Sequence, residues 1–207
     1  MKLFSFVFFT MLFMNSCDNI NDNYFNKICK GPKMVSLDST NHFAKNAISS
    51  DTFRSLRPLN ILSDTFFLRI EHSVDTTEYI FEYSFYNMEQ SFKVYRFQFR
   101  RHSREILFDK SKDNLKNFTT DYNSSKIGHS FISALEKNDI LDLPDCNSIP
   151  GYYMDEIFGD YYDIQYSNKC MYHFLAYGDP YKNSKNIKIA KNLTNFLDYL
   201  KREFDFK

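Results

Sequence analysis

The sequence predicts an α+β fold: an antiparallel sheet of about six strands, built as a meander plus a hairpin, with two helices packed on one face. Three observations predict it. Several runs alternate apolar and polar residues with period two, as half-buried strands do. Two runs repeat apolar residues at i, i+3 and i+4, as amphipathic helices do. Short turn-forming segments join the strand runs at hairpin distance, which makes the pairing antiparallel. The implied order is β-β-β-β-α-β-β-α.

The elements follow along the chain. Residues 18–65 are polar and mixed, and "DNINDNYFNK" reads as a tether. Between Ser39 and Leu56 one short helix is expected, with Phe43, Ala47 and Ile48 on one face. In "YIFEYSFY", Tyr79, Phe81, Tyr83 and Phe85 share one strand face, and Ile80, Glu82, Ser84 and Tyr86 share the other. In "KVYRFQFRR", Tyr95, Phe97 and Phe99 alternate with Arg96, Gln98 and Arg100. "NMEQS" joins these two runs and is short enough for a hairpin. "FFLRIEH" before them and "REILF" after them complete a four-stranded meander, expected to be apolar on one face and charged on the other.

A helix then carries Ile127, Phe131, Ala134, Leu135 and Asn138 on one face, with Ser124 or Ser125 as its N-cap. "LPDCNSIPG" stops it with two prolines and a glycine. Tyr162, Ile164 and Tyr166 begin a second hairpin, which turns at Ser167-Asn168-Lys169, where Asn168 is expected to accept a left-handed backbone. The chain returns from Cys170 to Tyr177, and "GDPYKNS" breaks it. The final helix has the strongest pattern: Ile189, Leu193, Phe196, Leu197, Leu200 and Phe204 form one stripe, and Lys201 and Arg202 complement the dipole at its end.

Composition narrows the class. The 26 basic and 26 acidic residues of the 207 balance to zero net charge, against the basic excess of a general nucleic-acid binder. The 23 Phe and 15 Tyr, with no Trp, accompany few Gly and Pro, a pattern that A/T-rich codon usage produces without any functional demand. Phe and Tyr then take over core positions that smaller apolar residues fill elsewhere.

The N-terminus carries an address. Lys2 supplies a positive charge, Leu3 to Met14 an apolar run, and Ser16 a small residue just before Cys17. The run is shorter than the roughly 20 residues of a membrane-spanning helix. This segment resembles the signal of bacterial lipoproteins, in which a peptidase cuts before a cysteine and lipid is attached to its thiol. The usual box has Leu, a small residue, then Gly or Ala; here Met14, Asn15 and Ser16 precede the cysteine. Bacteroidetes-type lipoproteins accept looser boxes, often ending in Ser-Cys. The resemblance implies a signal peptide at 1–16, lipid attachment at Cys17, a tether and irregular segment at 17–60, and a single α+β domain at 61–207. An ordinary cleaved secretory peptide and an uncleaved anchor are the other two readings of the segment. The stretch from Tyr161 to Phe204 is also similar to the C-terminal part of small uncharacterised Bacteroidetes lipoproteins: a tyrosine-rich hairpin, a Tyr-x-x-Pro loop and an amphipathic helix. That family brings no activity with it.

Candidate chemistry is sparse. Besides Cys17 there are Cys29, Cys146 and Cys170, and export permits disulfides. Of the three single bridges, Cys146–Cys170 is the expected one, because the helix-to-strand loop and the returning hairpin strand can lie side by side; three unpaired thiols are the alternative. No C-x-x-C or HExxH occurs, so no metal site is expected. His42, His72, His102, His129 and His173 are scattered as surface or strand residues. "DEIFGDYYD" gathers Asp155, Glu156, Asp160 and Asp163, but lacks the ligand spacing of an EF-hand. Arg96, Arg100, Arg101 and Arg104 read as a solvated face plus a turn. Ser130 follows His129 directly, and consecutive helical residues diverge by about 100°, so they are no nucleophile–base pair.

These observations lead to an exported, lipid-anchored domain with a binding or structural role at the bacterial cell envelope. Its expected partners are the membrane, through the N-terminal lipid, and an envelope or extracellular protein; no cofactor and no nucleic acid are expected. Two alternatives stand beside it. One is a small-ligand or glycan binder using the Tyr-rich hairpin and the pairs Tyr152/Tyr153 and Tyr161/Tyr162. The other is an enzyme whose site assembles from residues distant in sequence.

Overall fold

Alternating strands need partners, and the computed structural model shows which ones they find. It describes residues 56–59, 62–74, 77–98, 116–154 and 160–207, the side chains of 116, 117 and 124–126 excepted. The strands are β1 (Phe66–Val74), β2 (Thr77–Tyr86), β3 (Glu89–Gln98), β4 (Lys116–Tyr122), β5 (Tyr161–Ser167) and β6 (Tyr172–Gly178). The helices are α1 (Ser124–Lys137), the single turn α2 (Pro180–Asn183) and α3 (Lys188–Phe204). All six strands form one antiparallel sheet in the order β4-β3-β2-β1-β5-β6. The α+β class and the six-stranded sheet with two main helices are therefore as expected. The β5–β6 hairpin adds to the free side of β1, so the first strand of the meander becomes a central one.

The first face of the sheet is the main core. Leu68 and Ile70 of β1, Phe81, Tyr83 and Phe85 of β2, Phe92 and Val94 of β3, Ile164 of β5 and Leu175 of β6 all lie in it. Both long helices cover this face through Phe131 and Leu135 of α1 and Leu193, Phe196, Leu197 and Leu200 of α3. Phe131 is the hub: its ring centroid is 4.5 Å from Tyr83, 5.1 Å from Phe92 and 5.6 Å from Phe81. Its tilted and edge-on contacts suit the ring quadrupoles. Asp205 ends α3 in a left-handed conformation (φ 51°), and the chain then delivers a fully buried Phe206 to the same core.

Four expectations need correcting. The fourth strand is Lys116–Tyr122, whereas "REILF" lies outside the described residues, as does the helix expected between Ser39 and the residues before Leu56. "KNFTTDY" has two aromatics and two threonines among polar residues, so its strand pattern is weak. In β3, Phe92 and Val94 face the helices, while Tyr95 and Phe97 face the other way, toward Ile80 and Leu56. Cross-strand pairing decides this, because Val94 stands opposite Phe81 and Tyr95 opposite Ile80. Asn168 keeps a negative φ, and its side-chain oxygen shapes the turn by accepting from the N–H groups of Cys170 (2.7 Å) and Met171 (3.0 Å).

The fourth correction concerns the second face, which is not a solvated charged surface. Leu56 packs with Ile80 and Phe97 there, and Leu59 packs with Tyr172 and Phe174. Leu59 is fully buried, so the folded unit includes at least part of the segment expected to be tether.

The β2–β3 turn is strained. Asn87 (φ 48°) and Met88 (φ 65°) are both left-handed, as a two-residue hairpin turn requires. Asn tolerates this well, whereas Met carries a Cβ against the following carbonyl, and its side chain is 50% exposed with little packing to offset the cost. Met88→Gly is expected to stabilise the domain by about 0.5–1 kcal/mol, read as a higher urea midpoint at unchanged slope.

Candidate functional site

The most unusual chemistry lies on the second face. Asp121 of β4, Lys93 of β3, Glu82 of β2, Arg69 of β1 and Gln165 of β5 stand opposite one another in register. Charge alternates along this row while burial deepens. Lys93 and Asp121 are exposed and 3.9 Å apart. Arg69 is fully buried, and its Nη2 donates to Glu82 Oε2 at 2.6 Å and to the Arg57 carbonyl at 3.0 Å, with Nε adding a 3.2 Å bond to Glu82. Gln165, also fully buried, donates to Glu71 (2.9 Å) and accepts from the Tyr172 hydroxyl (3.1 Å). Burial first, then the Glu82 carboxylate, pushes the Tyr95 hydroxyl up to about 12, so it stays protonated at any physiological pH. The row therefore neutralises itself within the sheet.

This network was missed at the sequence level, although a signal existed. Arg69 is the one cation in the middle of "FFLRIEH", and Glu82 is the one anion in the middle of "YIFEYSFY". Opposite charges at the centres of two consecutive strands mark a cross-strand pair.

Two histidines are held inside the fold. His72 stacks on Tyr162 (4.0 Å between ring centroids, 9° between planes), and its Nδ1 lies 2.7 Å from the Lys207 carbonyl. A carbonyl only accepts, so Nδ1 carries the proton, and the buried Nε2 has no hydrogen-bond partner. His173 lies 5.0 Å from the Tyr166 ring, with both ring nitrogens shielded from water. Burial lowers the pKa of each; for His72 the Lys207 carbonyl and Asp160 work in opposition, and for His173 Asp145 does. Neither holds a carboxylate or hydroxyl in a relay.

The other candidates are placed as follows. His129 is exposed, and the Ser130 hydroxyl donates to the Ile127 carbonyl (2.9 Å) and meets the Tyr199 hydroxyl (3.0 Å), not an imidazole. Arg96 lies over the Phe118 ring at 4.6 Å, while Arg100, Arg101 and Arg104 lie outside the described residues. Cys17, Cys29, His42, His102, Asp155 and Glu156 also lie outside them. Among the described residues no group of three His, Cys, Asp or Glu side chains is placed to hold a metal ion.

The hairpin tyrosines face inward. Tyr162, Tyr166, Tyr172 and Tyr177 are buried, and burial raises the hydroxyls of Tyr162, Tyr166 and Tyr177. Tyr166 donates to the Leu141 carbonyl (2.8 Å), and Tyr177 donates to that of Pro144. Tyr166 and Tyr177 thus brace the loop after α1, while of the other tyrosines in the expected platform Tyr161 is half-buried and Tyr153 is 60% exposed. The residues of the Tyr-x-x-Pro loop are likewise structural. A side chain at Gly178 would sit 3.1 Å from Tyr161, Asp179 is left-handed (φ 47°), and Pro180 opens α2.

The expected Cys146–Cys170 bridge is not formed: Cys146 is a free, buried thiol and Cys170 is disulfide-bonded. Tyr177 holds Pro144 at the far end of β6, and Cys146 turns inward, its sulfur 3.4 Å from that of Met154. Cys170 sits in the β5–β6 turn, about 20 Å along the extended chain from Tyr177 and far beyond disulfide reach. Burial, then Asp145, pushes the Cys146 thiol up to about 11.

Comparison with protein-family models finds no match for the chain, and comparison with curated proteins finds none either.

Two outcomes follow from this geometry. Arg69→Met alone leaves Glu82 buried without its cation and is expected to cost about 3–5 kcal/mol, whereas Arg69→Met with Glu82→Leu recovers most of that loss. Urea denaturation of the two variants measures the difference. Acid is the second lever. The folded chain binds protons at His72 and His173 less readily than the unfolded chain does. Their contribution is thus complete above the unfolded value of about 6.5 and is lost as pH falls below it. The drop in stability from pH 7.5 to 5 is expected to shrink in His72→Phe; an unchanged drop removes His72 from the account.

Proposed function

We propose that this chain is an exported domain, anchored to a bacterial envelope membrane by lipid on Cys17, with a binding or structural role rather than a catalytic one. The observation that carries the reading is the pairing of two features: a cysteine at the end of a signal-like apolar run, and a second cysteine, Cys170, in a disulfide. Disulfides persist in oxidising compartments outside the cytosol, so the domain's own chemistry supports the address written at its N-terminus. The binding or structural role is supported by how the reactive groups are used. Ser130 is bonded to a main-chain carbonyl and a tyrosine, His72 clasps the C-terminal segment, and the raised Cys146 thiol is a poor nucleophile.

In this reading a polar stretch of sequence separates the lipid on Cys17 from the described domain. Stable attachment takes two lipid signals or more, and a triacylated cysteine meets that requirement. The test is fatty-acid labelling in a bacterial host, wild type beside Cys17→Ala. Label in the wild type alone is the expected result. Absence of label from both removes lipid anchoring, and a freely secreted protein or an uncleaved anchor takes its place.

A further inference from the structure

We propose that the tip of the β2–β3 hairpin docks on a lipid bilayer, with the side chains of Tyr86 and Met88 entering its interfacial layer. The choice of a bilayer as the partner rests on the lipid-anchor reading, which puts one beside the domain.

The backbone supplies the first observation. Tyr86 stands opposite Glu89, so Asn87 and Met88 alone make the turn, and both are left-handed. A turn of this kind favours glycine at its second position, because a Cβ there crowds the following carbonyl. The chain instead carries one of its longer apolar side chains at that position. Nothing inside the fold offsets the strain. Tyr86 is 49% exposed and Met88 50%. Neither side chain has a hydrogen bond or ring contact among the described residues. Backbone strain kept without internal compensation points to a role outside the fold.

The second observation is where the apolar surface lies. Two of the five large apolar side chains that stand exposed among the described residues belong to this turn. The four residues from Tyr86 to Glu89 are all exposed, so the tip projects from the sheet. Its chemistry suits a membrane boundary. A tyrosine ring with its hydroxyl sits well at headgroup depth, and a flexible thioether fits the apolar side of that layer. Asn87 and Glu89 flank Met88 and stay with the headgroups. A protein interface takes about 20–30 residues a side around an apolar centre, whereas the apolar part of this tip is two residues wide.

Two side chains hold a bilayer weakly by themselves. A domain already tethered to that bilayer meets it at an effective concentration of about millimolar, where a weak contact is occupied. The tip therefore sets the orientation of the domain rather than its attachment. Phe85, beside the turn, pairs with Phe66 at the start of β1, whereas the end of β6 lies by the end of β1. Tyr153, clasped by Asn183 just past β6, thus faces away from the membrane when the turn is down.

The chain has no tryptophan, so one introduced indole reports its own surroundings. The test uses residues 17–207 with Cys17→Ala and an N-terminal histidine tag. This protein is held on phosphatidylethanolamine–phosphatidylglycerol vesicles by a nickel-chelating lipid, which tethers it without the Cys17 lipid. In Tyr86→Trp the emission is expected to shift to the blue on the vesicles and to be quenched by brominated acyl chains. In Tyr153→Trp neither change is expected. Adding Met88→Gly to Tyr86→Trp is expected to raise the urea midpoint and yet weaken the quenching, which separates lost docking from lost folding. An unshifted emission in Tyr86→Trp, an equal shift in Tyr153→Trp, or quenching that Met88→Gly leaves unchanged overturns the proposal. Fatty-acid labelling of the wild type decides the anchor separately. A shift without label keeps the tip and removes the anchor; label without a shift removes the tip and keeps the anchor.

Discussion

The guanidinium of Arg69 has no water to share its charge with, and much of this fold is arranged around that fact. It sits on a central strand, with Glu82 opposite on one neighbour and Gln165 opposite on the other. Because side chains alternate faces, a slip of one residue in either pairing moves Arg69 or its partner into the aromatic layer under the helices. No group there can neutralise a cation at comparable cost. The ion pair adds little net stability after desolvation, but it excludes alternative registers. Beside it, Gln165 of the later hairpin donates to Glu71 of β1 (2.9 Å) and so links the two parts of the sheet.

Having two buried faces also explains the composition. An antiparallel sheet often leaves one side to water. Here one side meets two helices and the other meets the chain leading into β1, so most strand positions must be filled. Large aromatic side chains do this with few residues. Where they carry hydroxyls, the polar ends reach main-chain carbonyls in neighbouring loops, as Tyr122 does at Phe204 (2.6 Å) and Tyr166 at Leu141 (2.8 Å). Tyrosine is thus both core filler and loop brace, which is a different use from a ligand platform.

What was legible in the sequence was local and periodic. The Phe81-Tyr83-Phe85 alternation and the Leu193-to-Phe204 stripe each need only one element and one apolar neighbour to be correct. The features that were not legible depend on distant partners. A charge in mid-strand looks the same whether it faces water or an opposite charge on the next strand, so Arg69 and Glu82 read as solvated. Tyr95 and Phe97 read as core because they alternate with Arg96 and Gln98, yet their face is set by register with Ile80 and Glu78. β4 has too few apolar residues to announce itself and is recruited by the free edge of β3.

Cys146 has a consequence for how the molecule matures. With its thiol pushed up to about 11 by burial, little of it is thiolate at neutral pH. Thiolate is the species that attacks a disulfide, and burial denies it an approach as well. Packed against Met154 inside the core, this sulfur is a poor attacker of the disulfide at Cys170. Order of events then governs yield: a chain that folds its core before it meets oxidant reaches one covalent form, whereas one oxidised while still open samples several.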